Sequence, residues 1–294
     1  LDITILDKSV IENKNTNPAD MEFNIKQEIG KLIKDLTEDL DVSLVKNIFI
    51  TNNNLKCIGE VKCYIENNKP CLDVYLRKFV IECWITGYMP LESKRTIYHE
   101  FCHCDDAANN VRKAGTRYFF PGNGIMHSIK DLYESIGTFL WGEYIAYYRT
   151  YMKFGINSTF ESKLSKSIVS AGISINSIKN SHDKNANSLY FSTIDSLRSL
   201  FYCITKKIAL EESIKSQEIE QSNDKLLLLG EEFVNGIKSL SDEVQKVLLH
   251  MHSIAYEDEF FTLFYKLGQL FYKVYEDNGI KPIENNGEIK CIYI

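Results

Sequence analysis

The chain has 294 residues, of which 44% are hydrophobic and 25% charged, and it carries a formal net charge of −6. That length suits one large domain or two smaller ones, and the composition is that of an ordinary globular protein. The acidic balance excludes a broad basic footprint for nucleic acid, and no apolar run approaches the roughly 20 residues of a membrane span.

Ile3-Thr4-Ile5-Leu6 is a strand candidate, and the polar run from Glu12 to Asp20 reads as a loop. Between Met21 and Leu40, the residues Phe23, Ile25, Ile29, Leu32, Ile33, Leu36 and Leu40 recur at helical spacing. Val45–Thr51, Lys56–Ile65 and Leu72–Val80 are strand candidates rich in Val, Ile, Tyr and Cys. Asn52-Asn53-Asn54 and Asn67-Asn68-Lys69-Pro70 are the turns that separate them. Val80–Ile85 extends the last strand or forms another. An extended substrate could pair with an exposed edge of such a sheet.

A helix is expected after Pro90, and it contains Tyr98-His99-Glu100-Phe101-Cys102-His103. Two histidines four residues apart on a helix lie one turn apart on one face. Both imidazoles can then reach a single zinc ion, with Glu100 placed to hold the water that zinc activates. At about 100° per residue, with His99 at zero, His103 falls near 40°, Asp106 near −20° and Asn110 near 20°. Ile97, Phe101, Cys104 and Ala108 fall between about 140° and 200°. The helix thus has a metal-competent face and an apolar stripe opposite.

Ala107–Lys130 contains Gly115, Pro121, Gly122, Asn123 and Gly124, and reads as a connection with little regular structure. Asp131–Phe154 is a helix apolar nearly all round, with Glu143 the exception in its middle. A carboxylate buried without a partner is costly, so Glu143 either reaches solvent or meets a cation. Phe160–Ile178 has weak helical periodicity, and Ile178–Asn187 is a polar break. Helices follow over Ser188–Lys215, Leu226–Ile237, Ser241–Ile254 and Asp258–Tyr275, and a short strand over Glu288–Ile294.

A catalytic zinc site commonly uses three protein ligands. Beyond His99 and His103, the candidates are Asp106, His127, Glu134 and Glu143. Asp106 is close along the same helix and better suited to accept a hydrogen bond from a ligand, or to be a surface acid. Glu134 lies about 180° from Glu143 on its helix, so the two cannot face one site. Ser181-His182-Asp183 lies in a polar stretch, where adjacency does not make a triad. His250 and His252 are two apart and do not share a face.

Trp141-Gly142-Glu143-Tyr144-Ile145-Ala146 resembles the downstream glutamate helix of the gluzincin metallopeptidases, where a small residue stands three positions after the glutamate. The resemblance covers two short motifs within roughly residues 70–155. It departs from the family in the longer spacing of the two motifs and in Tyr147, which stands where an acid is usual. It implies a zincin-like α+β domain over residues 1–155, with a helical region over 156–294. It also implies Zn2+ held by His99, His103 and Glu143, and Glu100 as general base in the hydrolysis of a peptide or protein. Tyr147, about 40° from Glu143, ranks first among Tyr144, Tyr147, Tyr148, Arg149 and His127 as a donor to the oxyanion. The alternative is a zincin-like protein that acts by recognising a partner, with little or highly restricted cleavage.

The eight cysteines are Cys57, Cys63, Cys71, Cys83, Cys102, Cys104, Cys203 and Cys291. This is a low fraction for a disulfide scaffold, and it points to reduced thiols in a cytoplasmic protein. Cys63 and Cys71 are spaced to pair across their turn. The first residues alternate charge with short apolar runs, so no secretory leader is expected.

Overall fold

The computed structural model describes residues 2–6, 18–52, 58–119, 128–155, 161–180, 185–217, 231–285 and 288–294. It is an α+β structure in two units, Leu1–Phe120 and Pro121–Ile294. The sequence places the division after residue 155; here it falls before the long helix that carries Glu143.

In the first unit β1 (Asp2–Ile5), α1 (Pro18–Leu36), β2 (Val45–Thr51), β3 (Gly59–Glu66) and β4 (Lys69–Arg77) precede α2 (Lys78–Ile85) and α3 (Pro90–Ala114). The strands form one mixed sheet in the order β1-β2-β4-β3. β2 runs parallel to β1 and β4, while β3 pairs antiparallel with β4 and forms one edge. Alternation decides which face is buried. Ile48, Ile50, Leu72, Val74 and Leu76 have no exposed surface, and α1 adds Ile29 and Ile33 to the same unit's core. The opposite side chains form a polar and aromatic face. Asn47 Nδ2 and the Tyr64 hydroxyl donate to Asp73 Oδ1 at 2.7 and 3.1 Å. Phe49 stacks on Tyr75, and the Lys62 ammonium lies 4.3 Å from the Tyr75 ring centre.

Asn67 and Asn68 turn the β3–β4 hairpin with φ of 50° and 61°. Two left-handed residues are what a type I′ turn needs, and asparagine tolerates them better than most residues. The resulting register sets Cys63 opposite Leu72 and Cys71 opposite Tyr64. The two thiols therefore point to opposite faces, and both are free. The bridge that their spacing allows is not made.

Three elements differ from the sequence reading. Val80–Ile85 is helical, not extended: Val80, Ile81 and Cys83 are buried while Phe79 and Ile85 are exposed, a grouping on one helix face rather than an alternation. α3 continues through Ala107 to Ala114, because Ala107, Ala108 and Asn110 stay on its buried side. It stops at Gly115, whose φ of 63° breaks the helical path. A 3-10 turn over Gly115–Tyr118 follows.

The second unit contains α4 (Ile129–Phe154), α5 (Glu161–Lys179), α6 (Ala186–Ser216), α7 (Glu231–Ser253) and α8 (Phe260–Glu276). A hairpin of β5 (Ile280–Asn285) and β6 (Glu288–Tyr293) closes the chain. α7 is one helix where the sequence suggests two; residues 226–230 lie outside the described residues. β5 falls in what the sequence reading takes as tail, although the Asn286-Gly287 pair between the strands is a hairpin signal. Ser128 caps α4 by accepting from the Asp131 N–H at 3.1 Å. α4 packs on α6 and α8. At the α8 crossing the backbones touch. A Cβ on Gly137 would stand 1.9 Å from the Phe264 carbonyl oxygen, and one on Gly268 would stand 2.0 Å from that of Tyr133. Trp141, Tyr144, Phe264, Phe271 and Tyr272 fill the surrounding core. Among the described residues no helix is long and apolar enough to cross a membrane.

Candidate metal centre

α3 starts on Pro90, where a missing backbone N–H costs nothing. Its rotation is fixed by the segment that links α1 to β2. The Tyr98 hydroxyl donates to Asp39 Oδ2 at 2.7 Å, and the Asp41 N–H donates to Asp105 Oδ1 at 2.7 Å. Arg112 pairs with the Asp41 carboxylate. Hydrogen bonds from Ser43, with the Arg112 guanidinium nearby, hold the Asp41 carboxyl below its ordinary range. In this orientation Ile97, Phe101, Cys104 and Ala108 are buried, as the helical angles predict.

His99 and His103 occupy the other face, both half-buried. Their Nε2 atoms are 3.2 Å apart, with the rings at 90° to one another. Two zinc–nitrogen bonds of about 2.0–2.1 Å meeting at the tetrahedral angle span about 3.3–3.4 Å. The spacing of the two nitrogens thus fits a shared zinc ion, and it also allows one neutral ring to donate to the other. Glu100, between the histidines in sequence, is buried and lies against Gly59 at the start of β3.

The thiols beside His103 are packing groups. Burial pushes the Cys104 thiol well above its ordinary value, and its Sγ–H lies 3.5 Å from the Glu100 carbonyl oxygen. Burial likewise pushes Cys63 up to about 12. Neither is poised to ionise near neutral pH. Asp106 is not a surface acid: it is buried, and it accepts from Asn110 Nδ2 at 3.2 Å.

On α4, Glu143 is half-buried and stands one turn before Tyr147. The Tyr147 hydroxyl forms a short hydrogen bond with that of Tyr202 on α6, and the Lys206 ammonium lies 4.4 Å from the Tyr147 ring centre. Burial, then Tyr202 and the Glu143 charge, keep the Tyr147 phenol protonated far above neutral pH. Sequence reasoning does not single out Tyr202 and Lys206. Their spacing of four residues marks one helix face but does not reveal the partner 55 residues away.

The other aromatic candidates are engaged elsewhere in this unit. Tyr144 hydrogen-bonds His252 Nδ1 at 2.8 Å, and the Tyr148 hydroxyl donates to Ser216 Oγ at 3.2 Å. Glu134 is buried beside Lys130. His250 faces Glu259 while His252 sits among Trp141, Tyr144 and Tyr148, so the two share no site. His127 and Ser181-His182-Asp183 lie outside the described residues.

Comparison of the chain with family models, with curated proteins and with solved structures gives no match.

Proposed function

We propose that the chain is a zinc-dependent metallopeptidase of the zincin type, with His99, His103 and Glu143 holding the metal and Glu100 acting as general base. The observation that carries this reading is the 3.2 Å separation of the two imidazole Nε2 atoms on one face of α3, with a buried carboxylate between them in sequence. Glu143 enters as the third ligand that the likeness of Trp141–Ala146 to the gluzincin glutamate helix implies. A small mixed sheet with an antiparallel edge strand ahead of α3 is compatible with a zincin-like domain.

Zinc held by these residues would supply the Lewis acidity that makes water a nucleophile near neutral pH. Glu100 would accept a proton from a water adding to the peptide carbonyl carbon and pass it to the departing amine. Tyr147, one turn along α4 from Glu143, would be the donor to the oxyanion. Tyr202 directs that phenol through their hydrogen bond. An extended peptide can add to the outer edge of β3, whose first residue adjoins Glu100. Seven cysteines among the described residues stand as thiols, which suits a reducing compartment, and we take this to be the cytoplasm.

Incubation of the zinc-loaded chain with a peptide library, read by mass spectrometry, tests the assignment. Cleavage is expected from the native sequence, with a loss of about 10²–10⁴-fold in Glu100→Gln at unchanged zinc content. Full activity in Glu100→Gln would remove the general base and the reading with it.

A further inference from the structure

Gly59 opens β3 and pairs with Leu76 of β4 in an ordinary antiparallel register. Its φ is outside the left-handed region, so its backbone would accept any L residue. Conformation therefore does not call for glycine here; space does. A Cβ at this position would lie 2.5 Å from both Cγ and Oε1 of Glu100 and 2.6 Å from Cδ. Every one of these atoms belongs to the side chain that the peptidase reading makes the general base.

The same test gives a different result elsewhere. At Gly137 and Gly268 the added carbon would strike backbone atoms of a neighbouring helix, which cannot step aside. At Gly59 it would strike a side chain, which can change its torsions as a helix backbone cannot. A methyl group at 59 is thus compatible with the fold but not with Glu100 in its present place.

We propose that Gly59 is a positioning residue for Glu100: the absent side chain at the head of the edge strand is the space in which the general base stands. The inference rests on the peptidase reading for its functional meaning and on the Gly59–Glu100 contact for its physical content. The three atoms nearest the added carbon all belong to Glu100 and none to a proposed metal ligand, so Gly59→Ala is expected to leave zinc binding intact.

Four full-length chains decide it: native, Gly59→Ala, Glu100→Ala and the double variant, each measured for zinc content, melting temperature and peptide turnover. Gly59→Ala is expected to keep one zinc per chain and a KM within about twofold. Its kcat should fall about 100-fold, as a displacement of about 1 Å at a reacting group can cause. Its melting temperature should fall by about 2–4 °C when Glu100 is present and by less than about 1 °C when residue 100 is alanine. Native kcat in a zinc-loaded Gly59→Ala would overturn the proposal. So would a melting penalty for Gly59→Ala that is the same in both backgrounds. If the native chain cleaves no peptide, the peptidase reading falls separately. The melting cycle then decides the contact alone: a penalty that needs Glu100 upholds it, and an equal penalty overturns it.

Discussion

α3 and α4 are of nearly equal length, 25 and 26 residues, yet they are built on opposite rules. α3 buries Glu100, Asp105, Asp106 and Asn110 along with its apolar stripe. Burying such groups is costly, and it is tolerated where hydrogen bonds are supplied, as they are to Asp105 from Asp41 and Asn109 and to Asp106 from Asn110. α4 buries mainly aromatic, aliphatic and small residues, and its buried threonines Thr138 and Thr150 donate back to carbonyls four residues earlier. Those hydroxyls are thereby satisfied within the helix. The contrast teaches where to look for chemistry. A helix that spends stability on buried acids is where chemistry can be sought, whereas a helix that satisfies itself serves the core. Glu134, buried beside Lys130, and half-buried Glu143 with Tyr147 and its Tyr202 contact are the parts of α4 that depart from its own rule.

The largest expected effect that sharpens this comparison is on the packing helix. Gly137→Ala places a carbon against the Phe264 backbone and forces α4 and α8 apart. Overpacking of this kind costs about 3 kcal/mol, or a fall of roughly 6–12 °C in melting temperature for a unit of this size. A melting temperature unchanged by Gly137→Ala would mean that the two backbones do not touch.

A smaller effect concerns pH. Burial lowers the pKa of His252 from 6.5, opposed by Glu212 and aided by Arg149. Its ring accepts or donates at Nδ1 to the Tyr144 hydroxyl, on the buried face of α4. A histidine whose folded pKa is depressed binds fewer protons folded than unfolded. Its stabilising contribution is therefore complete above the ordinary imidazole pKa and is lost as pH falls below it. Thermal melts between pH 8 and pH 5 should show this acid-side loss, and His252→Gln should flatten it. An identical pH slope in the variant would place the sensitivity elsewhere.

Much of this was legible in the sequence. The angles of His99, His103, Ile97, Phe101, Cys104 and Ala108 place the two faces of α3, because side chains four apart on a helix must share a face. The strands Val45–Thr51 and Ile3–Ile5, and the Asn67-Asn68 turn, follow from alternation and turn chemistry. Val80–Ile85 was not legible, since a short apolar run carries no period that separates strand from helix. The Cys63–Cys71 bridge failed because spacing along the chain says nothing of which sheet face a residue takes. The extension of α3 past Ala107 was hidden by the glycines that follow it, of which only Gly115 ends the helix. Gly59 and Tyr202 were missed for a common reason: what makes each matter is a neighbour brought near by folding.

The claim on which the rest depends is that two imidazoles of α3 and the carboxylate of α4 hold one divalent ion. Metal analysis of the purified chain, with zinc affinity measured by chelator competition, tests it most directly. The account predicts one zinc per chain, with affinity falling at least about tenfold in each of His99→Ala, His103→Ala and Glu143→Ala. A native chain that binds no zinc, or a Glu143→Ala chain that binds it as tightly as the native one, would contradict it.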